Sequence, residues 1–323
     1  MTGMPTEDQF PYDNLDRLVR VKMRPKGMAQ YYLISDYVYW AARGESPISY
    51  DIARSLDPRQ PKRVGIFTGA SSPEHYPNGE NDGPLGTIVL AQALRELGHQ
   101  VSLFIDPQLE PIIGALMAYY GHQYPVVKLD IDTLEMNADA AAGLEVAIAV
   151  EKAGTNPSGK LHSITGFTRE GTRAKVDTIF QTVESEGGVT ISCCDGVNEI
   201  GFGKVYDVVA DVAPWTTECR CGCGKGVMCS TPVTHLYATS ISNWGAYALA
   251  GALALYTRDP SLLHTSEAER DIEQIAVEYD VRDGSLGKAG LTMDGVPLNG
   301  TLGMIDMMRT LVELSLKEYT RNF

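Results

Sequence analysis

The chain has 323 residues, 44% of them hydrophobic and 21% charged, with a formal net charge of −14. That is enough apolar material for a large core, so disorder is not the default state, and an acidic chain without a basic stripe argues against a nucleic-acid partner. No apolar run approaches the ~18 residues that a bilayer span needs, and the acidic start MTGMPTEDQF fits neither a signal nor a transit peptide, so a cytoplasmic protein with no membrane partner is expected.

In chain order, residues 13–56 read as helical, with Leu15, Leu18 and Val19, then Tyr37, Val38 and Ala41, at helical spacing. Pro25-Lys26-Gly27 interrupts the pattern, Arg43–Pro47 is a turn, Ser49–Leu56 is a short third helix and Asp57–Pro61 is a linker. The period then changes. Arg63–Thr68 is a buried strand, followed by a long loop from Gly69 to Gly86, a helix over Thr87–Leu97 stopped by Gly98, and a second strand at Val101–Ile105. A helix over Pro111–Tyr120, closed by Gly121, leads to a third strand at Val126–Leu129, and Glu145–Val150 is a fourth. A helix at Val176–Glu186 and a fifth strand at Val189–Cys193 follow, while Val205–Val212 fits helix or strand. His235–Thr239 is a sixth strand, Gly245–Tyr256 a small-residue helix, and Glu267–Tyr279 and Leu302–Tyr319 are amphipathic helices. Strands alternating with helices pair in parallel through right-handed crossovers. The expected fold is α/β: a doubly wound, mostly parallel, Rossmann-like three-layer sheet over residues 61–323 with one continuous core, preceded by a helical appendage over residues 1–60.

In such sheets ligands bind beyond the carboxyl ends of the strands, which ranks the loops. The first follows Thr68-Gly69 and is far longer than the usual two to six residues. It ends in Gly79-Glu80-Asn81-Asp82-Gly83-Pro84, two carboxylates among glycines ahead of a helix start suited to Pro84. Asp82 also reads as a plain helix cap. After the fourth strand, Glu151-Lys152 stands at the sheet edge, ahead of Lys160 and His162, with a solvated ion pair in a turn as the simpler reading. After the fifth, Asp195-Gly196-Val197-Asn198-Glu199 offers hard oxygen donors for Mg²⁺ or Mn²⁺, or a general base, where a tight turn is the bland alternative. After the sixth, Asn243 either caps the next helix or donates to a carboxylate. Asp283-Gly284 and Asp294-Gly295 mark turns whose aspartates join the acidic set if they fold over the sheet edge.

Cys219, Cys221, Cys223 and Cys229 fall close together without a CxxC pair. The spacing departs from the usual zinc-ribbon pattern, but four thiolates so close in sequence could still bind a structural Zn²⁺. A proper GxGxxG and a GxxxxGK[ST] are both missing, so no nucleotide is expected.

The stretches VGIFTG, NGENDGPLGTIVLAQALRELG, AIAVEKAGTNPSGKLHSITGF, CCDGVNEIGFGKV, SISNWGAYALAGALAL and DGSLGKAGLTMDGVPL, spread from about residue 64 to 298, together resemble the D-glutamate cyclase-like family. The chain departs from it at Val197, where glycine is frequent, and in its richer cysteine region. The resemblance implies a lyase that cyclises D-glutamate, or a related amino or hydroxy acid, to a lactam with loss of water. The demands of that reaction, set against the loop chemistry above, assign Glu80, Asp82, Asp195 and Glu199, with Glu151, base or catalytic roles, with Asp82, Asp195 and Glu199 as the divalent-metal ligands. Thr68, Gly69, Asn198, Asn243 and His162 would contact substrate, with Lys152 or Lys160 on its carboxylate. The partners expected are a small-molecule substrate and further copies of the chain. Three other readings compete: an enzyme of another lactam or lactone, a sensor without turnover, and a structural zinc protein.

Overall fold

The computed structural model describes residues 6–25 and 35–321, so Lys26 and Gly27 of the expected interruption lie outside the described residues. Three helices open the chain: α1 (Phe10–Leu18), α2 (Ser35–Ala42) and α3 (Ile48–Ser55). There follow β1 (Arg63–Gly69), α4 (Pro84–Glu96), β2 (Gln100–Ile105), α5 (Glu110–Tyr120), β3 (Val126–Lys128) and α6 (Leu134–Ala140). The second half holds β4 (Val146–Lys152), α7 (Asp177–Ser185), β5 (Val189–Cys194), α8 (Tyr206–Val212), β6 (His235–Ala238) and α9 (Ser242–Thr257). The chain closes with α10 (Ser266–Glu278), a small hairpin of β7 (Thr292–Met293) and β8 (Val296–Pro297), and α11 (Leu298–Ser315). The segment left between helix and strand is thus α8, and α6 and the hairpin are additions to the sequence reading.

All six strands of the main sheet run parallel, in the order β3-β2-β1-β4-β5-β6. The strands read as near-continuous apolar runs because helices cover both faces. Winding runs outward from β1 through α4 and α5, then returns to β4 on the other side of β1. That reversal puts α4 and α7 on opposite faces, since both crossovers are right-handed. Phe180 of α7 meets Phe67 of β1 edge-on, and Phe67 in turn stacks on Phe104 of β2, on that face. On the other, α9 is built from small residues and packs against α4, α1, α3 and α11. Leu15, Val38 and Ile52 of the first three helices belong to the same buried apolar cluster as the sheet.

The reversal makes a crevice beyond the carboxyl ends of β1 and β4, where this sheet order binds ligands. Local backbone sharpens it. The β1–β4 register shifts at Thr68/Gly69, and Glu151 adopts φ 50°, a left-handed conformation that a non-glycine residue takes only when its surroundings impose it. Asp294-Gly295, at φ 49° and 77°, form the two-residue turn of the β7–β8 hairpin, which lies over the same crevice.

Candidate active site

A cavity of about 70 Å³ lies in this crevice, with Glu80, Glu151, Arg173, Asp195, Glu199 and Asp294 in its wall. A single water needs roughly 10–15 Å³ on this measure, so the space suits a small polar molecule. Four loops, all at strand ends or in the hairpin, bring these side chains together.

The β1–α4 loop supplies Glu80 and Asp82. Glu80 lies over Gly284, where an added Cβ would stand 1.9 Å from its Oε2. Asp82 is held by another helix: Oδ2 accepts from Ser242 N at 2.9 Å and Oδ1 from Asn243 N at 2.7 Å, at the start of α9. Asn243 returns the contact, its Oδ1 accepting from Gly83 N at 2.8 Å and Gly86 N at 2.7 Å at the start of α4. Each residue therefore caps the other's helix. Asn243 Nδ2 donates to Asn81 O at 2.9 Å, and the residue is wholly buried, so the substrate contact expected of it is replaced by a scaffold role.

From the end of β4, Glu151 Oε2 accepts from Ser242 Oγ at 2.6 Å. From the β5 loop, Glu199 turns back on its own turn: Oε1 accepts from Asp195 N at 3.1 Å and from Gly196 N, while Oε2 is buried without a partner among the described residues. Asp195 pairs with Arg24 Nη2, which also reaches Asp294 Oδ2 at 2.8 Å and Ser240 O at 2.8 Å. Asp294 joins the acidic wall, whereas Asp283 holds the turn beneath it through Ser285 N, Leu286 N and Gly295 N.

Burial pushes the carboxyls of Glu80, Asp82, Asp195 and Glu199 well above the ordinary range. Neighbouring carboxylates, Glu151 among them, push further in the same direction; Arg173 opposes the shift at Glu80, and Arg24 opposes it at Asp195. Asp82, Glu151 and Asp195 each place one oxygen within 4.8 Å of the others, close enough to share a cation. Glu151 thus takes the place in the metal group that the sequence reading gave to Glu199.

The cations differ from those expected. Lys152 is completely buried, with Nζ 2.5 Å from Asp106 Oδ1, and does not line the cavity. Lys160 is exposed on a turn away from it. Thr68 and Gly69 are buried beneath the site and do not line it. Arg173 is the guanidinium in the wall, donating from Nε to Ser71 O and from Nη2 to Tyr76 Oη, both at 3.3 Å. Asn198 does line the cavity, held by Nδ2 to His162 O at 3.1 Å.

His162 itself belongs to a second centre. Its Nε2 and the Sγ atoms of Cys219, Cys221 and Cys223 all lie within 4.8 Å of one another, a group that can hold a metal ion. The four-cysteine set expected from sequence is corrected by one ligand. Cys229 is buried apart, accepting from Thr231 N at 3.3 Å, and burial pushes its thiol well up, so it stays protonated. Hydrogen bonds from Ser158, then the Lys225 backbone, then Asn156 lower the Cys223 thiol to about 5, favouring thiolate.

A doubly wound α/β protein with a carboxylate-walled cavity at its strand-order reversal is the class that fold and geometry define. The chain belongs to the D-glutamate cyclase-like family, whose C-terminal profile matches residues 48–309. It is 24% identical over 300 residues to the mitochondrial D-glutamate cyclase of Homo sapiens, an alignment covering 81% of this chain and 47% of the human protein. The chain thus spans about half the length of that curated relative. The family match includes every carboxylate of the cavity wall and leaves out Arg24. No helix among the described residues is long and apolar enough to cross a membrane.

Proposed function

We propose that the chain is a hydro-lyase of the D-glutamate cyclase type, closing D-glutamate or a related amino acid to a five-membered lactam, or a hydroxy acid to the corresponding lactone. The observation that carries this reading is the meeting of Glu80, Glu151, Asp195, Glu199 and Asp294 with Arg173 around one small cavity. For glutamate, the amino nitrogen bonds to the side-chain carboxyl carbon, one carbon–oxygen bond breaks, and two ammonium protons leave with that oxygen as water. Glu199 takes the proton that frees the nucleophile on its unpartnered Oε2; the Asp195 and Gly196 N–H groups on Oε1 favour its charged form against the burial that raises it, a support Glu80 lacks. Glu80, kept protonated by burial, donates to the departing oxygen. Arg173 receives a substrate carboxylate, and the ammonium is drawn by the surplus of carboxylates.

The Asp82, Glu151 and Asp195 oxygens suit Mg²⁺ or Mn²⁺, which would polarise the carboxyl under attack. The sulfur-rich centre suits a structural Zn²⁺. Free thiols throughout fit a reducing compartment such as the cytoplasm.

The test is proton NMR of the purified chain with D-glutamate, L-glutamate and 5-oxo-D-proline, each with and without Mg²⁺ or Mn²⁺. Interconversion of D-glutamate and 5-oxo-D-proline supports the reading. Absence of turnover from either side, with either metal, sinks it.

A further inference from the structure

His162 is wholly buried, yet its ring makes polar contact with sulfur alone: Nε2 lies 3.1 Å from Cys221 Sγ and 4.0 Å from Cys223 Sγ, while Nδ1 has no partner among the described residues. A buried imidazole aimed at thiols gains little from them as hydrogen-bond partners, because sulfur is a weak acceptor and donor. It gains a great deal if all four atoms share a cation. Cys219 Sγ stands 3.7 Å from Cys221 Sγ and 3.4 Å from Cys223 Sγ. A tetrahedral Zn²⁺ with bonds of about 2.3 Å to sulfur and about 2.0 Å to nitrogen requires edges of roughly 3.8 Å and 3.5 Å. These four separations lie within about half an ångström of such edges, and the remaining two are no longer than 4.8 Å.

The backbone is built for it. Gly222, Gly224 and Gly226 adopt φ 77°, 68° and 72°, left-handed turns that fold alternate cysteines onto one point. Asn156 Nδ2 donates to Cys223 Sγ at 3.3 Å and to Gly226 O at 2.7 Å, bracing the turn and orienting the thiolate, as hydrogen bonds to ligand atoms do in metal sites.

The centre also touches the acidic cavity. Ser163 and Ile164, the two residues after His162, line that cavity. His162 O accepts from Asn198 Nδ2, which stands beside Glu199, and Arg220 N donates to Gly166 O at 2.9 Å. The cysteine turn and the cavity wall are thus joined through residues 162–166.

We propose that Zn²⁺ bound by His162, Cys219, Cys221 and Cys223 is a clamp that fixes Ser163 and Asn198 at the cavity, so that the organisation of the acidic site depends on metal at the sulfur site. Binding displaces the remaining thiol protons to solvent. The inference rests on the reading of the acidic cavity as the active site and of the sulfur centre as a zinc site.

The test uses the full chain purified without added metal. Elemental analysis should find about one zinc per chain, retained by Cys229→Ala and lost by Cys221→Ser. Cobalt substitution of the wild-type chain should give the visible absorption of a tetrahedral cobalt–thiolate centre, a readout that survives if Cys221→Ser fails to fold. On zinc removal by chelator, deuterium uptake should rise across residues 161–169 and 196–200 while β1, β4 and β5 stay protected, and any turnover should fall at least about tenfold. A chain without zinc that gives no cobalt–thiolate spectrum overturns both the metal and the clamp. Zinc that can be removed without changing exchange at 161–169 and 196–200 overturns the clamp and leaves the metal in place. Failure to turn over glutamate bears on the proposed reaction alone, because metal content and exchange decide the clamp without it.

Discussion

Asp82 and Asn243 cap each other's helices: the aspartate holds the first N–H groups of α9, and the asparagine those of α4. The exchange locks the two helices that frame the cavity into one register. It is tight as well as polar, for a Cβ on Gly86 would stand 2.6 Å from Asn243 Oδ1 and 2.8 Å from its Cα. Asn243→Ala leaves the buried Gly86 N–H without its acceptor, while Gly83 N keeps Asp82 Oδ1 at 3.0 Å. It should cost about 1–3 kcal/mol in denaturant unfolding, and a variant as stable as wild type would argue against the exchange.

Glu199→Gln keeps the shape of the side chain and removes its proton-accepting charge. Formation of 5-oxoproline should fall by more than about tenfold with melting behaviour retained. Asp195→Ala should do the same. Wild-type rates from both variants would remove the acidic wall from the reaction.

Gly284→Ala would drive a methyl group into Glu80 Oε2. The backbone there is not left-handed, so the substitution carries no intrinsic strain, and stability should change by less than about 1 kcal/mol. Turnover should drop because Glu80 must swing aside. A variant as active as wild type would show that the position of Glu80 does not matter.

The titration of Glu80 gives a pH signature. Burial, then the Glu151 charge, raises its carboxyl well above the ordinary 4.5, so the folded state keeps a proton that the unfolded chain releases. The native fold therefore loses stability from this group as pH rises through 4.5 and beyond, until its own folded-state pKa is reached. Glu80→Gln removes the loss. Its stability relative to wild type should climb with pH above about 4.5, by at most about 1.4 kcal/mol per pH unit. A difference that is flat between pH 4 and 8 would contradict the raised carboxyl.

Lys152 separates a scaffold role from a substrate role. Its ion pair with Asp106 is completely buried, and loss of one partner leaves a charge without compensation. Lys152→Ala should cost about 3–5 kcal/mol in unfolding. A stable variant with only a raised KM would return Lys152 to substrate binding.

The sheet was legible because runs such as Val64–Gly69 and Val146–Val150 are apolar on both faces, and only a covered parallel strand reads that way. The acidic loops were legible from length and position. What sequence could not show is which way a strand end turns. Glu151 and Lys152 are adjacent, but the left-handed Glu151 and the register shift at Thr68/Gly69 send the glutamate to the cavity and the lysine inward. Local rules also assign a cap to its own helix, whereas Asp82 and Asn243 act across 161 residues. Arg24 and Arg173 sit in irregular stretches without a motif. His162 is remote in sequence from the cysteines it joins, so a spacing rule pairs those cysteines with Cys229 instead.

Arg24 has one more consequence. It is delivered to Asp195 and Asp294 from the stretch after α1, outside the sheet and outside the family match. The acidic wall holds Arg173 from its own loops but borrows the cation that faces Asp195 and Asp294 from a separate part of the polypeptide. Any attempt to graft the sheet and its loops onto another protein must replace that cation, or these two carboxylates will repel one another and recruit whatever positive ion the solvent offers.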